Sequence, residues 1–208
     1  MTTDDKKKCL RQKVKALLKK LSLSERMFQS RCIENFLYEQ DFYRNADLIL
    51  TFLPAESEVN LLSLIPRSFI DRKKIAVPRV VKNSSNMDFY FIDGSDENFL
   101  ENQCHSGAFN IIEPDEKRPV FNIEASEDFT PERILIIVPG LAFSKKGERL
   151  GHGKAYYDTY LERLKKFCIK KGTSLTICGV CFDCQLLEEV PCDKRDFLMD
   201  KVLAPCLL

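Results

Sequence analysis

The run Ile134-Leu-Ile-Ile-Val138, closed by Pro139-Gly140, narrows the fold of this chain more than any other feature. Five apolar residues in a row leave no polar face for water, so such a strand is covered on both sides, as strands of parallel sheets are. Asp47 to Leu53 repeats the pattern and ends at Pro54, and Lys74 to Val77 repeats it and stops at Pro78. Met87 to Ile92, Leu175 to Phe182 and a shorter Leu198 to Leu203 read as further strands. Helical periodicity fills the gaps. Residues 6–20 form a basic amphipathic helix with Leu10, Val14, Leu17 and Leu18 on one face. Ser24 is the expected cap of a second helix through about Tyr38. Val59 to Ile70 reads as a helix bent or broken at Pro66, and Lys154 to about Lys171 as another. Residues 93–132 are polar and irregular, a loop with minor elements. Strands alternating with helices imply an α/β fold with a mostly parallel sheet.

Composition bounds the function. At 208 residues with 44% hydrophobic content the chain can bury a core without disulfides or metals, and one domain over 1–208 is expected. Lys and Arg number 32 against 31 Asp and Glu, a balance that argues against a dedicated nucleic-acid binder. No apolar run approaches the ~20 residues of a membrane span. The first residues lack a signal-peptide core, and Cys206 stands third from the end, one place short of a prenylation pattern. A cytoplasmic monomer without membrane or nucleic-acid partners is expected, its nine cysteines mostly reduced core thiols.

Four of the eight glycines lie between Gly140 and Gly153, mixed with Lys145, Lys146, Arg149, His152 and Lys154, just before a helix. Free backbone amides, cations and a helix N-terminus together make an anion site, most naturally for phosphate. The competing reading is a hairpin with ordinary surface lysines. A Walker A loop is excluded, because Glu148 stands where its first glycine belongs and Ala155 follows Gly153-Lys154. The dinucleotide pattern fails at Tyr156. Position favours a ligand site, since the loop follows one apolar strand and Glu56-Ser57-Glu58 follows another, and ligands of open α/β sheets bind beyond strand C-termini. Asp158, four residues after Lys154, is either a Mg²⁺ ligand beside phosphates or half of a surface Lys–Asp pair. Asp193, Asp196 and Asp200 read as a solvated turn. Cys178, Cys181, Cys184 and Cys192 depart from the ferredoxin spacing, and strand alternation points Cys178 and Cys181 to opposite faces. The only histidines are His105 and His152, and no Gly-x-Ser-x-Gly elbow accompanies them.

Pro139 to Phe143, Gly147-x-Arg-Leu-Gly-x-Gly-Lys154 and Tyr156-Tyr157-Asp158-x-Tyr160-Leu161 resemble the signature of the 5-formyltetrahydrofolate cyclo-ligase family, also called methenyltetrahydrofolate synthetases. Lys7-Lys8-Cys9-Leu10-Arg11, Leu53, Glu58-Val59, Lys74 to Arg79, Met87-Asp88-Phe89, Gly179, Gln185 and the Pro191…Asp196…Asp200 tail follow in order, so the resemblance spans the chain. It implies a three-layer α/β/α fold, Rossmann-like in the manner of sugar-phosphate isomerases and CoA-transferases. It implies ATP- and Mg²⁺-dependent closure of 5-formyltetrahydrofolate, polyglutamylated or not, to 5,10-methenyltetrahydrofolate, with ADP and phosphate released. By the same resemblance Lys7, Lys8 and Arg11 face nucleotide phosphates. Arg149, Leu150, Gly151, His152, Gly153, Lys154, Ala155, Tyr156 and Tyr157 wrap the triphosphate. Arg149, His152, Lys154 and Tyr156 act at the reaction centre, and residues 152–156 also meet the folate. Leu53 lines the pterin pocket, Glu58 accepts from the pterin, and Asp158 and Asp196 hold Mg²⁺.

Three positions depart from the family pattern. His152 replaces an arginine between two glycines, Ala155 replaces a glycine, and Ser144 replaces an aspartate. An ordinary imidazole titrates near 6.5 and carries only fractional charge at neutral pH. These changes keep a second expectation open, a nucleotide- or folate-binding module without turnover.

Overall fold

The computed structural model describes residues 2–81, 84, 86–107, 112–123, 129–193 and 196–208. Part of the segment read as an irregular loop, residues 108–111 and 124–128, lies outside them.

The helices begin where side chains can satisfy their first amides. Helix α1 (Thr3–Leu18) opens on a reciprocal box in which Thr2 accepts from the Asp5 amide while Asp5 takes the Thr2 amide. Helix α2 (Leu23–Glu39) opens the same way on Ser22 and Glu25. The cap is therefore Ser22 rather than Ser24, because only Ser22 has an acid three residues on. Helix α3 (Asp41–Arg44) follows at once. Helix α4 covers Leu64–Ile70 only, with Pro66 in its first turn, where a missing N–H leaves nothing unpaired. Pro66 thus helps start this helix and does not bend a longer one.

The main sheet has six strands. At its centre β1 (Leu48–Leu50) pairs in parallel with β2 (Lys74–Val80) on one side and β6 (Arg133–Val138) on the other. Beyond β6 come β9 (Ser174–Val180) and β11 (Lys201–Leu203), both parallel. Beyond β2 lies β3 (Met87–Phe91), the one antiparallel strand. Strand β2 runs through Pro78 rather than stopping there. Ile75 accepts from Ile92 on the β3 side and Ala76 accepts from Thr51 on the β1 side. By alternation Pro78 faces the β1 side, where pairing has already ended at Leu50 and no donor is needed.

Alternation along β1 separates two cores. Ile49 packs with Val14, Leu18, Ile33, Leu37 and Leu64 of α1, α2 and α4. Leu48 and Leu50 pack with Tyr160, Leu161, Leu164 and Phe167 of helix α6 (Tyr156–Lys171). The result is the three-layer arrangement, with each fully buried Leu or Ile contributing roughly 1.5–3 kcal/mol relative to exposure. Smaller pieces complete the chain. Helix α5 (Phe99–Asn102) precedes a ribbon of β4 (Cys104–Ser106) and β5 (Ile112–Pro114). The stretch after β6, read as loop, contains a hairpin of β7 (Ala142–Ser144) and β8 (Arg149–Leu150), widened by β10 (Leu186–Leu187).

The chain leaves β1 toward β2 and later returns to β1's other side as β6. Strand order reverses between these two neighbours, so a crevice opens beyond their C-termini, where Leu53 and Pro139 stand.

Candidate active site

Three segments meet at that crevice. The hairpin β7–β8 ends at Leu150 and releases Gly151 to Ala155 into the start of α6. Gly153 has φ +98° and Ala155 φ +57°, both left-handed, which turns the chain sharply enough to begin α6 at Tyr156. The Arg11 guanidinium lies against Gly153, 3.4 Å from where a Cβ would sit, and its Nε donates to the Gly151 carbonyl at 2.9 Å. Helix α1 is thereby tied to the glycine-rich turn.

Arg149 lies beneath it, buried. Its Nη2 pairs with Asp158 Oδ2 at 2.9 Å, its Nη1 donates to the Pro139 carbonyl, and its Nε is buried without a partner. Asp158 therefore answers to Arg149 rather than to Lys154, and the reading of a surface Lys154–Asp158 pair falls. The other Asp158 oxygen accepts from the Phe197 amide at 3.3 Å. Lys7 of α1, also buried, reaches Asp193 Oδ2 at 2.9 Å and Asp196 Oδ2 at 2.5 Å. Burial pulls the Lys7 ammonium down, but its bonds to Asp196 and Asp193 outweigh that and hold it above its ordinary value.

On the β1 side Glu58 accepts from the Ala55 amide, which closes the turn after Pro54. Its other oxygen is 3.8 Å from His152 Nε2. The two polar segments expected to share a crevice do share one, bridged by this pair. Leu53 is buried in the core below. The Tyr157 ring lies 5.7 Å from the Arg149 guanidinium, and its hydroxyl is buried without a partner. Burial, then the Glu58 charge, push that phenol well above its usual value, although Arg149 pulls the other way. Leu150 is buried, Tyr156 half-buried, and Lys8 and Lys154 exposed. Lys145 and Lys146 fall at the turn of the β7–β8 hairpin, outside the crevice, where Lys146 meets exposed Glu189 at 3.6 Å.

Two contributors escaped the sequence reading of single residues. Asp193 stands in a stretch that reads as a solvated turn, yet it holds a buried lysine. Only the spacing of three aspartates hinted at it. Gln185 donates to the Gly140 and Leu141 carbonyls and fixes the turn from β6 into the hairpin. Cys178 and Cys181 fall in opposite cores, as alternation implied. Burial pushes Cys178 up to about 12 and Cys181 further. Among the described residues no three His, Cys, Asp or Glu side chains are grouped to hold a metal.

Comparison with known proteins decides the family. The profile of the 5-formyltetrahydrofolate cyclo-ligase family matches residues 3–205. The chain belongs to the 5-formyltetrahydrofolate cyclo-ligase family. A mouse 5-formyltetrahydrofolate cyclo-ligase is 32% identical over 203 residues, covering 98% of this chain and 95% of its own. A probable cyclo-ligase of Schizosaccharomyces pombe is 32% identical over 155 residues, 72% of this chain and 70% of its own. Among solved structures, the 5,10-methenyltetrahydrofolate synthetase of Aquifex aeolicus superposes with a TM-score of 0.73 at 28% identity, covering 96% of this chain and 89% of its own. The cyclo-ligase family is one of ATP-dependent enzymes acting on a small folate. No helix among the described residues is long and apolar enough to cross a membrane.

Proposed function

We propose that this one domain, residues 1–208, closes 5-formyltetrahydrofolate to 5,10-methenyltetrahydrofolate, consuming ATP and releasing ADP and phosphate. The observation that carries the reading is the meeting of Arg149, Lys7 and Arg11 with the Glu58–His152 bridge at the point where strand order reverses. The formyl oxygen of an amide is a poor leaving group. Transfer of the γ-phosphoryl group to that oxygen converts it to phosphate. Folate N10 then attacks the formyl carbon, loses its proton, and the C–O bond breaks with phosphate departing. Phosphoryl transfer asks the protein mainly for positioning and charge neutralisation.

The residues divide that work. Lys154, exposed beside the Gly151–Ala155 turn, and Arg11 behind it meet the phosphates, with Lys8 at the outer rim. Arg149 and His152 neutralise charge that builds on the transferred group, and the turn amides add donors. Tyr156 flanks the folate, Leu53 floors its pterin ring, and Glu58 accepts from the ring's donor edge. The unpartnered Tyr157 hydroxyl and Arg149 Nε supply donors within the same wall. Asp158 and Asp196 offer the carboxylate oxygens that suit magnesium, and each is held here by a protein cation. One carboxylate or two plus substrate phosphates is the set magnesium takes, rather than an all-protein cage, so these residues fit it. When bound, it would draw charge from the phosphate oxygens. On this reading the enzyme is a cytoplasmic monomer.

The test is turnover: purified protein, 5-formyltetrahydrofolate and Mg-ATP, followed by the growth of methenyl absorbance. ATP-dependent growth is expected. No growth, with ATP and folate both bound, refutes the reading.

A further inference from the structure

Arg79 of β2 is 9% exposed, and its guanidinium is spent on the β4–β5 ribbon. Its Nη1 donates to the Pro114 carbonyl at 2.6 Å and to His105 Nε2 at 3.1 Å, and its Nη2 meets Glu116 at 3.4 Å. The far side of the imidazole, Nδ1, lies 2.7 Å from Asp115 Oδ1. A guanidinium has donors only, so Nε2 must accept from it. Nδ1 then carries the proton and donates it to Asp115, and the ring bound this way is the Nδ1–H tautomer.

The ribbon so fastened stands beside the crevice. Leu50 of β1 pairs with Ala76 of β2, and three residues past that pair stand Leu53 and Arg79. Alternation along β2 puts Arg79 on the face of Ile75 and Val77, which share a core with Leu53 and with Cys104 of the ribbon. Strand β2 lies on the side of β1 away from β6, whose end leads into the glycine-rich turn. We propose that His105 is a positioning residue for the folate. It sets where the ribbon stands against β2, and so the width of the pocket beside Leu53, while the nucleotide half on the β6 side does not depend on it. This rests on the reading of the crevice as a shared folate and nucleotide site.

The consequence is a selective effect on one ligand. His105→Ala removes an acceptor from Arg79 and a donor from Asp115 at once. The Arg79–Pro114 bond and the pairing of β4 with β5 remain, so the ribbon stays on the sheet but is held less tightly. Folate must then order it on binding, which costs about what the lost bond supplied. A glutamine amide at position 105 offers both functions again, its oxygen to Arg79 and its NH₂ to Asp115.

Calorimetry of the full chain, titrated separately with 5-formyltetrahydrofolate and Mg-ATP, tests this. For His105→Ala the folate Kd is expected to rise roughly fivefold, the scale of one net hydrogen bond, with the Mg-ATP Kd unchanged. His105→Gln should bring the folate Kd back to within about twofold of the wild type. Should His105→Ala fail to fold, Asp115→Ala removes the acceptor that fixes the tautomer and carries the same expectation. Equal weakening of both ligands, or no weakening of folate, overturns the proposal. Imidazole ¹⁵N spectra of histidine-labelled protein in alkaline buffer, with His105→Gln to assign the ring, give a second readout. A proton on Nδ1 and a bare Nε2 are expected, and a proton on Nε2 overturns the proposal. Wild-type protein that binds neither ligand overturns the reading of the crevice beneath it, and this inference with it.

Discussion

Ala155 stands at φ +57° immediately before α6, without a side-chain cap for the helix amides. An L-residue in the left-handed region suffers a contact between its Cβ and the following carbonyl that costs about 1–2 kcal/mol. Glycine has no such contact, and it is also the better of the two at a helix N-cap. Against this, glycine loses more backbone entropy on folding, about 0.5–1 kcal/mol. Ala155 is exposed, so deleting its methyl removes little packing. The balance for Ala155→Gly is a gain of about 0.5–1 kcal/mol, and for a chain of this size that raises Tm by roughly 1–4 °C. Denaturant unfolding should show a higher midpoint with the slope unchanged, which separates native-state strain from a change in the denatured ensemble. Gly153→Ala is the matched control. At φ +98°, with the Arg11 guanidinium 3.4 Å from the new Cβ, it should destabilise by roughly 1 kcal/mol or more. A lower midpoint for Ala155→Gly, or equal effects of the two substitutions, would refute the claim that this turn stores strain at Ala155.

Asp158→Asn leaves the Arg149 guanidinium buried beside a neutral amide, so unfolding should become easier by roughly 3–5 kcal/mol, together with a near-complete loss of turnover, read by denaturant titration and the methenyl assay. Lys154→Ala separates the two effects: Lys154 is exposed, so the denaturation midpoint should hold within about 0.5 kcal/mol while turnover falls by about 100-fold or more. His152→Arg replaces the imidazole 3.8 Å from Glu58 by a permanently charged guanidinium. Turnover should therefore rise in the variant if charge at this position limits the wild-type protein. Unchanged turnover in the methenyl assay would remove His152 from the charge-neutralising set.

The parts of the fold legible in the sequence were those set by burial on two faces. The runs at β1, β6 and β9 contain almost nothing polar, and they are three of the four interior strands of the sheet. Errors came where one backbone bond outweighed composition. Pro78 looked like a strand end because proline lacks a donor, yet its N faces a side of β2 where pairing has already ended. Pro66 looked like a helix break and stands in the first turn, where a donor is not missed. Ser24 and Ser22 are both plausible caps until the acid three residues later is counted. The hairpin of β7 and β8 was hidden because two- and three-residue strands have no periodicity to read.

The site divides along the same line. Arg149, Gly151, Gly153 and Asp158 lie within ten residues, so a local motif can expose them, and the fold needs only to give them depth. Lys7 and Asp196 are 189 positions apart, and Lys7 and Asp193 186, so no spacing rule relates them. Their meeting depends on β11 lying at the far edge of the sheet, which returns Asp193 and Asp196 to α1. An ion pair of that separation is visible only after the sheet order is known. The same logic explains why Asp193 reads as solvated turn while Asp158 reads as a ligand. Asp158 has basic residues and glycines as sequence neighbours, and the partner that gives Asp193 its meaning sits at the other end of the chain.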